Sequence, residues 1–162
     1  MVSARAVAET VTDPELPMVT LAELGVLRDV RVAAGHVEVT ITPTYTGCPA
    51  LDAMRDDLRA RLGAAGYPDV RVRTALDPPW TTDWISESGR RKLAAAGVAP
   101  PGPAPRRAAG PIPLSLGPTR RVRCPRCGSS DTTELSRFGA TACKSLRHCG
   151  ACREPFEHFK EI

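Results

Sequence analysis

The chain has 162 residues and a formal net charge of +4, with 42% hydrophobic, 25% charged and 4% aromatic residues. That length fits one domain of about 100 residues plus a small module. The small net charge excludes a uniformly basic nucleic-acid binder but leaves room for a local basic patch, and with so few aromatics the core must come from Val, Leu, Ala and Ile. No stretch approaches the roughly 18 unbroken apolar residues of a membrane span. The opening MVSARAVAETVTDPE lacks the apolar region of a secretory signal, so a cytoplasmic protein with no membrane partner is expected. Thiols stay reduced there, and the six cysteines point to metal or redox chemistry rather than a disulfide framework.

Along the chain, Val7 and Val11 at i and i+4 predict a short helix over 4–12, ended by Asp13-Pro14-Glu15 because a residue before proline is pushed out of helical space. Val30 and Val32, then Val37, Val39 and Ile41, alternate with polar residues and predict two half-buried strands joined as a hairpin through Ala33-Ala34-Gly35. After Thr44-Tyr45-Thr46-Gly47-Cys48-Pro49, the apolar set Leu51, Met54, Leu58 and Leu62 predicts an amphipathic helix ending near Gly63 and Gly66. Val70-Arg71-Val72-Arg73 starts a third strand, and a last helix runs over about 86–96, with Arg90-Arg91-Lys92 read as a solvated face. Pro, Gly and Ala dominate 97–119, which buries too little apolar surface to offset its ordering entropy and reads as an extended, mobile linker. The chain therefore divides into a domain over 1–96, a linker over 97–119 and a module over 120–162.

That module carries two C-x-x-C pairs, Cys124/Cys127 and Cys149/Cys152, separated by residues 128–148. Two residues between cysteines let one tight turn aim both thiolates at one ion, and two such turns complete a tetrahedral sulfur cage. Gly128 suits the positive φ that turns backbone amides toward sulfur. About forty residues cannot build a stable core unaided, so metal binding supplies much of the folding energy. Zinc is the expected ion; mononuclear iron or an iron–sulfur cluster would use the same ligands. Cys143, beside Lys144, reads as a swap ligand, a second reactive thiol or a small buried hydrophobe. His148 and His158 could also coordinate, although four cysteines already fill the site.

Cys48 stands apart. Pro49 is favoured at the first helical position, which puts Cys48 at or beside the N-cap, where unpaired amides and the helix dipole would stabilise a thiolate. Thr44 and Thr46 add hydroxyls, and Glu15 would add a carboxylate if the first loop folds over the site. The competing reading is a buried structural cysteine. His36, the one histidine outside the module, follows a hairpin glycine and reads as exposed, so no Cys/His or Ser/His/Asp catalytic set can be assembled.

Together, Asp13-Pro14-Glu15, Leu24-Gly25-Val26-Leu27 with Asp29-Val30, and Thr46-Gly47-Cys48-Pro49 resemble the SufT-like family of iron–sulfur assembly factors over residues 5 to about 95. Adding Pro78-Pro79-Trp80-Thr81-Thr82-Asp83-Trp84-Ile85, Cys124-Pro125-x-Cys127-Gly128, Phe138-Gly139-x-Thr141-Ala142-Cys143-Lys144 and Cys152-Arg153-Glu154-Pro155-Phe156, nearly the whole chain resembles the PaaD family. These are accessory subunits of the oxygenase that epoxidises the ring of phenylacetyl-CoA. The resemblance implies an α+β protein: a small SufT-like α/β two-layer domain with helices on a three-stranded sheet, a flexible linker and a zinc ribbon. It implies that Cys48 handles iron or cluster intermediates, and it alone brings in phenylacetate.

Three functions compete on these grounds. The first is a non-catalytic maturation factor that loads iron or an iron–sulfur cluster into the oxygenase or reductase component of the epoxidase, with iron–sulfur assembly machinery as a further partner and structural zinc in the ribbon. The second is a nucleic-acid-binding regulator using Arg106, Arg107, Arg120, Arg121, Arg123 and Arg126, against which stands a supply of only Phe138, Phe156 and Phe159 for stacking. The third is an enzyme with Cys48 as nucleophile, which lacks an identifiable base. A working, non-catalytic subunit of the oxygenase complex is the variant of the first.

Overall fold

Ser3 opens the first helix: its hydroxyl accepts from the Ala6 N–H at 3.2 Å, supplying one of the partners that a helix start lacks. The computed structural model describes residues 2–33, 35–104 and 121–162, and these form two units, Met1–Lys92 and Leu93–Ile162.

In the first unit, α1 (Ala4–Ala8) is shorter than the spacing predicts. The Thr10 hydroxyl donates to the Val7 carbonyl at 2.7 Å and the chain turns away. Val11 is still fully buried, but from an extended segment in which Thr12 bridges Thr20. Asp13 then organises the next turn. Its buried carboxylate accepts from the N–H groups of Glu15 and Leu16 at 2.8 and 2.9 Å, an Asx turn that Pro14 accommodates.

Strands β1 (Leu27–Ala33) and β2 (His36–Ile41) form the expected antiparallel hairpin, with a register irregularity between Leu27 and Asp29. Val37, Val39 and Ile41 are buried, whereas Val32, near the hairpin end of β1, is 69% exposed. Helix α2 (Leu51–Ala64) buries Met54, Leu58 and Leu62. It ends in a Schellman turn: Gly66 takes φ 96°, its N–H donates to the Gly63 carbonyl, and the Tyr67 N–H donates to that of Leu62. Strand β3 (Val70–Thr74) returns parallel to β2, giving the sheet order β1-β2-β3. Helix α1 packs on β1 and α2, and α2 on β3, which makes two layers.

The proline-rich segment after β3 is anchored by its tryptophans. Trp80 is buried and its indole N–H donates to the Leu24 carbonyl at 3.0 Å. Trp84 lies so close to Gly25, at φ 71°, that a Cβ there would sit 2.5 Å from the Trp84 Cβ, and the Arg28 guanidinium stacks 3.6 Å from the Trp84 ring centroid. Helix α3 (Glu87–Ala95) follows. Its basic run is less solvated than expected: Arg90 donates to the Thr82 carbonyl and Lys92 to Glu23, while Arg91 pairs with Glu87 on the surface.

In the second unit the order is β4 (Val98–Ala99), β7 (Pro155–Phe159), β6 (Lys144–Cys149), β5 (Thr132–Ser136). Strand β4 falls within the segment read as linker. Val98 and Ala99 are buried and pair in parallel with Glu157 and His158. The Gly102 N–H donates to Glu161 at 3.0 Å, so 98–102 belongs with the ribbon. Residues 105–119 of the expected linker, with Arg106, Arg107 and then Arg120, lie outside the described residues.

Candidate metal centre and the Cys48 loop

The two C-x-x-C turns are built alike. In the first, the Gly128 N–H donates to the Cys124 carbonyl at 2.9 Å and the Cys124 N–H to the Ser129 carbonyl at 2.9 Å; in the second, Arg153 donates to Cys149 at 2.9 Å and Cys149 to Glu154 at 3.1 Å. Each turn needs a left-handed residue after its second cysteine. Gly128 meets this at φ 74°, and Arg153 does so at φ 61° as a non-glycine residue. The second turn also presses Gly150 against Asp131, whose carboxylate occupies the space a Cβ would need.

These turns bring all four sulfurs within 4.8 Å of one another. Cys124 Sγ lies 3.7 Å from Cys152 Sγ and Cys127 Sγ 3.5 Å from Cys149 Sγ. A tetrahedron with metal–sulfur bonds of about 2.3 Å has edges of about 3.8 Å, so the residues fit one four-coordinate ion. Cys124 and Cys149 pack with Ala99 and Phe156, which screens one side of the cage from water.

The sulfurs ionise unequally. Burial raises the Cys124 thiol, but the backbone N–H groups of Cys127 and Arg126 outweigh it and bring it down to about 7. At Cys152 the Glu154 N–H favours the thiolate, yet burial and the sulfurs of Cys149, Cys127 and Cys124 together push it up to about 12. Four sulfurs this close cannot all carry charge unless a cation offsets it.

Among the described residues these four cysteines are the group that could hold a metal, and neither His148 nor His158 joins it. His158 is buried instead between Ser145, 3.4 Å from its Nδ1, and Glu161, 3.7 Å from its Nε2. Cys143 also lies outside the group. It is buried, its Sγ 3.0 Å from the Thr141 hydroxyl, and the adjacent Lys144 is committed to Glu157 at 2.7 Å.

Cys48 lies further from the helix than its proline suggests. Helix α2 begins at Leu51 with Ala50 as its N-cap, so Pro49 precedes the cap and Cys48 precedes Pro49. The Cys48 carbonyl accepts from the Leu51 N–H at 3.3 Å, and its own N–H donates to the Tyr45 carbonyl at 3.3 Å. The thiol is half-buried in a turn leading into the helix rather than at the cap itself. Thr44 is half-buried and Thr46 exposed in the same loop; Glu15 is half-buried in the Asp13 turn; His36 is half-buried at the start of β2.

Sequence reasoning does not foresee the left-handed backbone of Arg153 or the packing of Asp131 against Gly150. The residue following each C-x-x-C pair is the available signal for Arg153, since two equivalent turns make equivalent backbone demands.

Comparison with known proteins fits this architecture. Residues 4–75 match the family model described as iron-sulfur cluster assembly protein, and residues 108–160 match the PaaD zinc beta ribbon domain. The chain is 41% identical over 157 residues to an Escherichia coli protein named as one of the subunits of 1,2-phenylacetyl-CoA epoxidase, covering 97% of this chain and 90% of that one. The chain belongs to the PaaD family. Its first domain also has relatives outside that family. A Porphyromonas gingivalis Fe-S protein maturation auxiliary factor is 37% identical over 86 residues, covering 52% of this chain and 81% of its own. The crystal structure of a domain of unknown function from Bacillus anthracis superposes with a TM-score of 0.51 at 28% identity, covering 56% of this chain and 87% of that one. The α/β domain is thus a shared module to which the PaaD family adds a ribbon. Among the described residues, no helix is long and apolar enough to cross a membrane.

Proposed function

We propose that this PaaD-family chain is a non-catalytic maturation factor that helps load iron or an iron–sulfur cluster into the phenylacetyl-CoA epoxidase system, acting in the cytoplasm. The observation that carries the reading is the joining, in one chain, of a domain 37% identical to an Fe-S protein maturation auxiliary factor with a ribbon of the epoxidase-subunit family. The first relates to handling a metal, the second to which protein receives it.

The two sulfur sites suit different roles. Four sulfurs within 4.8 Å close around an ion and release it slowly, as a structural zinc site requires. Cys48 offers one half-buried sulfur on a turn, and a soft ion held through few ligands can be passed on. Iron or a cluster is here the cargo, with Cys48 as its contact and Glu15, Thr44 and Thr46 as the polar residues of the neighbouring loops. Client components are the oxygenase and reductase of the epoxidase, and the assembly machinery is the source of the cargo.

The nucleic-acid reading keeps one exposed ring of the three phenylalanines it would use for stacking. Phe156 and Phe159 are buried, and Phe138, 66% exposed, has the Lys160 ammonium 4.7 Å from its ring centroid. A salt-sensitive gel shift tests it, since phosphate binding weakens steeply with salt. The maturation reading is tested by co-expressing the epoxidase components with and without this protein and counting iron and sulfide in each. Metal-poor component in its absence is the expected result; equal metal content in both would refute the reading.

A further inference from the structure

Arg147 lies within β6, opposite Phe156 on one side and Glu134 on the other. It is 8% exposed, yet its Nη1 reaches Glu134 Oε2 only at 3.4 Å, and its buried Nε has no hydrogen-bond partner. A charge-assisted bond between guanidinium and carboxylate is normally about 2.7–2.9 Å, so Glu134 holds this group loosely. The guanidinium is thus buried and held by one long contact, while its Nε is closed off from solvent. An oxyanion meeting the side of the group that lines a cavity would add the charge-assisted bond that Glu134 makes only weakly.

The side chain lines a cavity of about 290 Å³ in the ribbon unit, whose walls also carry Arg137, Lys160, His158, Glu134 and Glu161. Glu161 is already engaged by the Gly102 N–H at 3.0 Å and stands beside His158. Arg137 is exposed, and Lys160 Nζ donates to the Arg137 backbone carbonyl at 3.1 Å, which ties the Lys160 ammonium to the segment that carries Arg137; both residues line the cavity.

We propose that this cavity is a carboxylate-binding site, with Arg147 as its buried anchor and Arg137 and Lys160 as further donors. The planar fork of Arg147 matches a carboxylate in shape and charge. Three permanent cations face two carboxylates in the wall, an excess that suits one monoanion, while a doubly charged phosphate would meet Glu134 and Glu161 at short range. The same carboxylate chemistry is offered by an acidic side chain of a protein and by a small organic acid.

The test is a titration of the full-length protein at neutral pH and constant ionic strength, following the backbone amides of Glu134, Arg147 and Phe156 by NMR. The probes are acetate, a blocked tripeptide carrying one Glu, inorganic phosphate and chloride. Saturable shifts with acetate or the peptide are expected, with at least threefold weaker binding in Arg137→Gln and no saturation in Arg147→Gln at unchanged metal content. The tighter of the two carboxylate probes identifies the source. Non-saturating shifts, or shifts matched by chloride, mean an adventitious ion only and overturn the proposal, as does tighter binding of phosphate than of either carboxylate. If Arg147→Gln loses its metal, the Arg137→Gln arm decides: affinity unchanged from the parent refutes the site.

Discussion

Arg153 takes in the second cysteine turn the left-handed conformation, φ 61°, that Gly128 takes at 74° in the first. The hydrogen bonds of the two turns correspond one to one, so the strain lies in the side chain that Arg153 carries and Gly128 does not. Arg153→Gly should therefore stabilise the ribbon by about 1 kcal/mol, and Gly128→Ala should destabilise it by a similar amount. Competition for the bound metal by a chelator, followed with a colorimetric dye, reads both: slower release from Arg153→Gly, faster from Gly128→Ala.

The sulfur geometry predicts close to one zinc per chain in protein purified under reducing conditions. Replacing Cys124 and Cys127 together by Ser should abolish it and melt the strands β5 to β7, because two sulfurs cannot close the cage. Backbone amide signals of the first unit should persist. Unchanged zinc in the double variant would show that the ion sits elsewhere.

Gly25 faces a different constraint. A Cβ would lie 2.5 Å from Trp84 Cβ and 2.7 Å from the Trp84 carbonyl, in a backbone conformation that already disfavours side chains. Gly25→Ala should cost roughly 2–4 kcal/mol in urea unfolding of the first unit. Gly47→Ala, where the nearest neighbour is a Tyr45 ring atom at 3.9 Å, is the control and should unfold nearly as the parent does.

Glu23 links stability to acidity. Burial raises its pKa, but the hydrogen bonds from Lys92, Ser88 and the Thr20 N–H outweigh this and hold it at about 2, against an ordinary 4.5. A depressed carboxylate contributes its full stabilisation above the unfolded value and loses it as pH falls. The first unit should thus weaken between pH 4.5 and about 2. Because Lys92 is half exposed and the pair is screened, the loss should be about 1–2 kcal/mol. Glu23→Gln should lack this part of the pH dependence of the urea midpoint.

How much of the molecule is legible in its sequence depends on how local the cause is. The hairpin and α2 follow from side-chain period, and Val37, Val39, Ile41, Met54, Leu58 and Leu62 are buried as the pattern predicts. The ribbon follows from cysteine spacing. The start of α2 lies later than the sequence suggests, because Pro49 marks a helix entry without fixing whether it is the first helical residue or stands before the cap. Strand β4 is hidden in the sequence because Val98 and Ala99 become a strand only by pairing with β7, more than fifty residues later. Nothing in the sequence marks Arg147 for burial, which comes with the register that sets it against Phe156 and Glu134.

The central claim is that the protein acts on its client before turnover, through Cys48. A loaded metal centre is held by its own ligands, so the effect should outlast the factor. Epoxidase components made in cells that lack this protein, or that carry Cys48→Ala, should be metal-poor and weakly active. Components made in its presence and then purified away from it should be fully active, with no gain when it is added back. Fully metallated components that stay inactive until the protein is added would contradict the account and make it a working part of the complex.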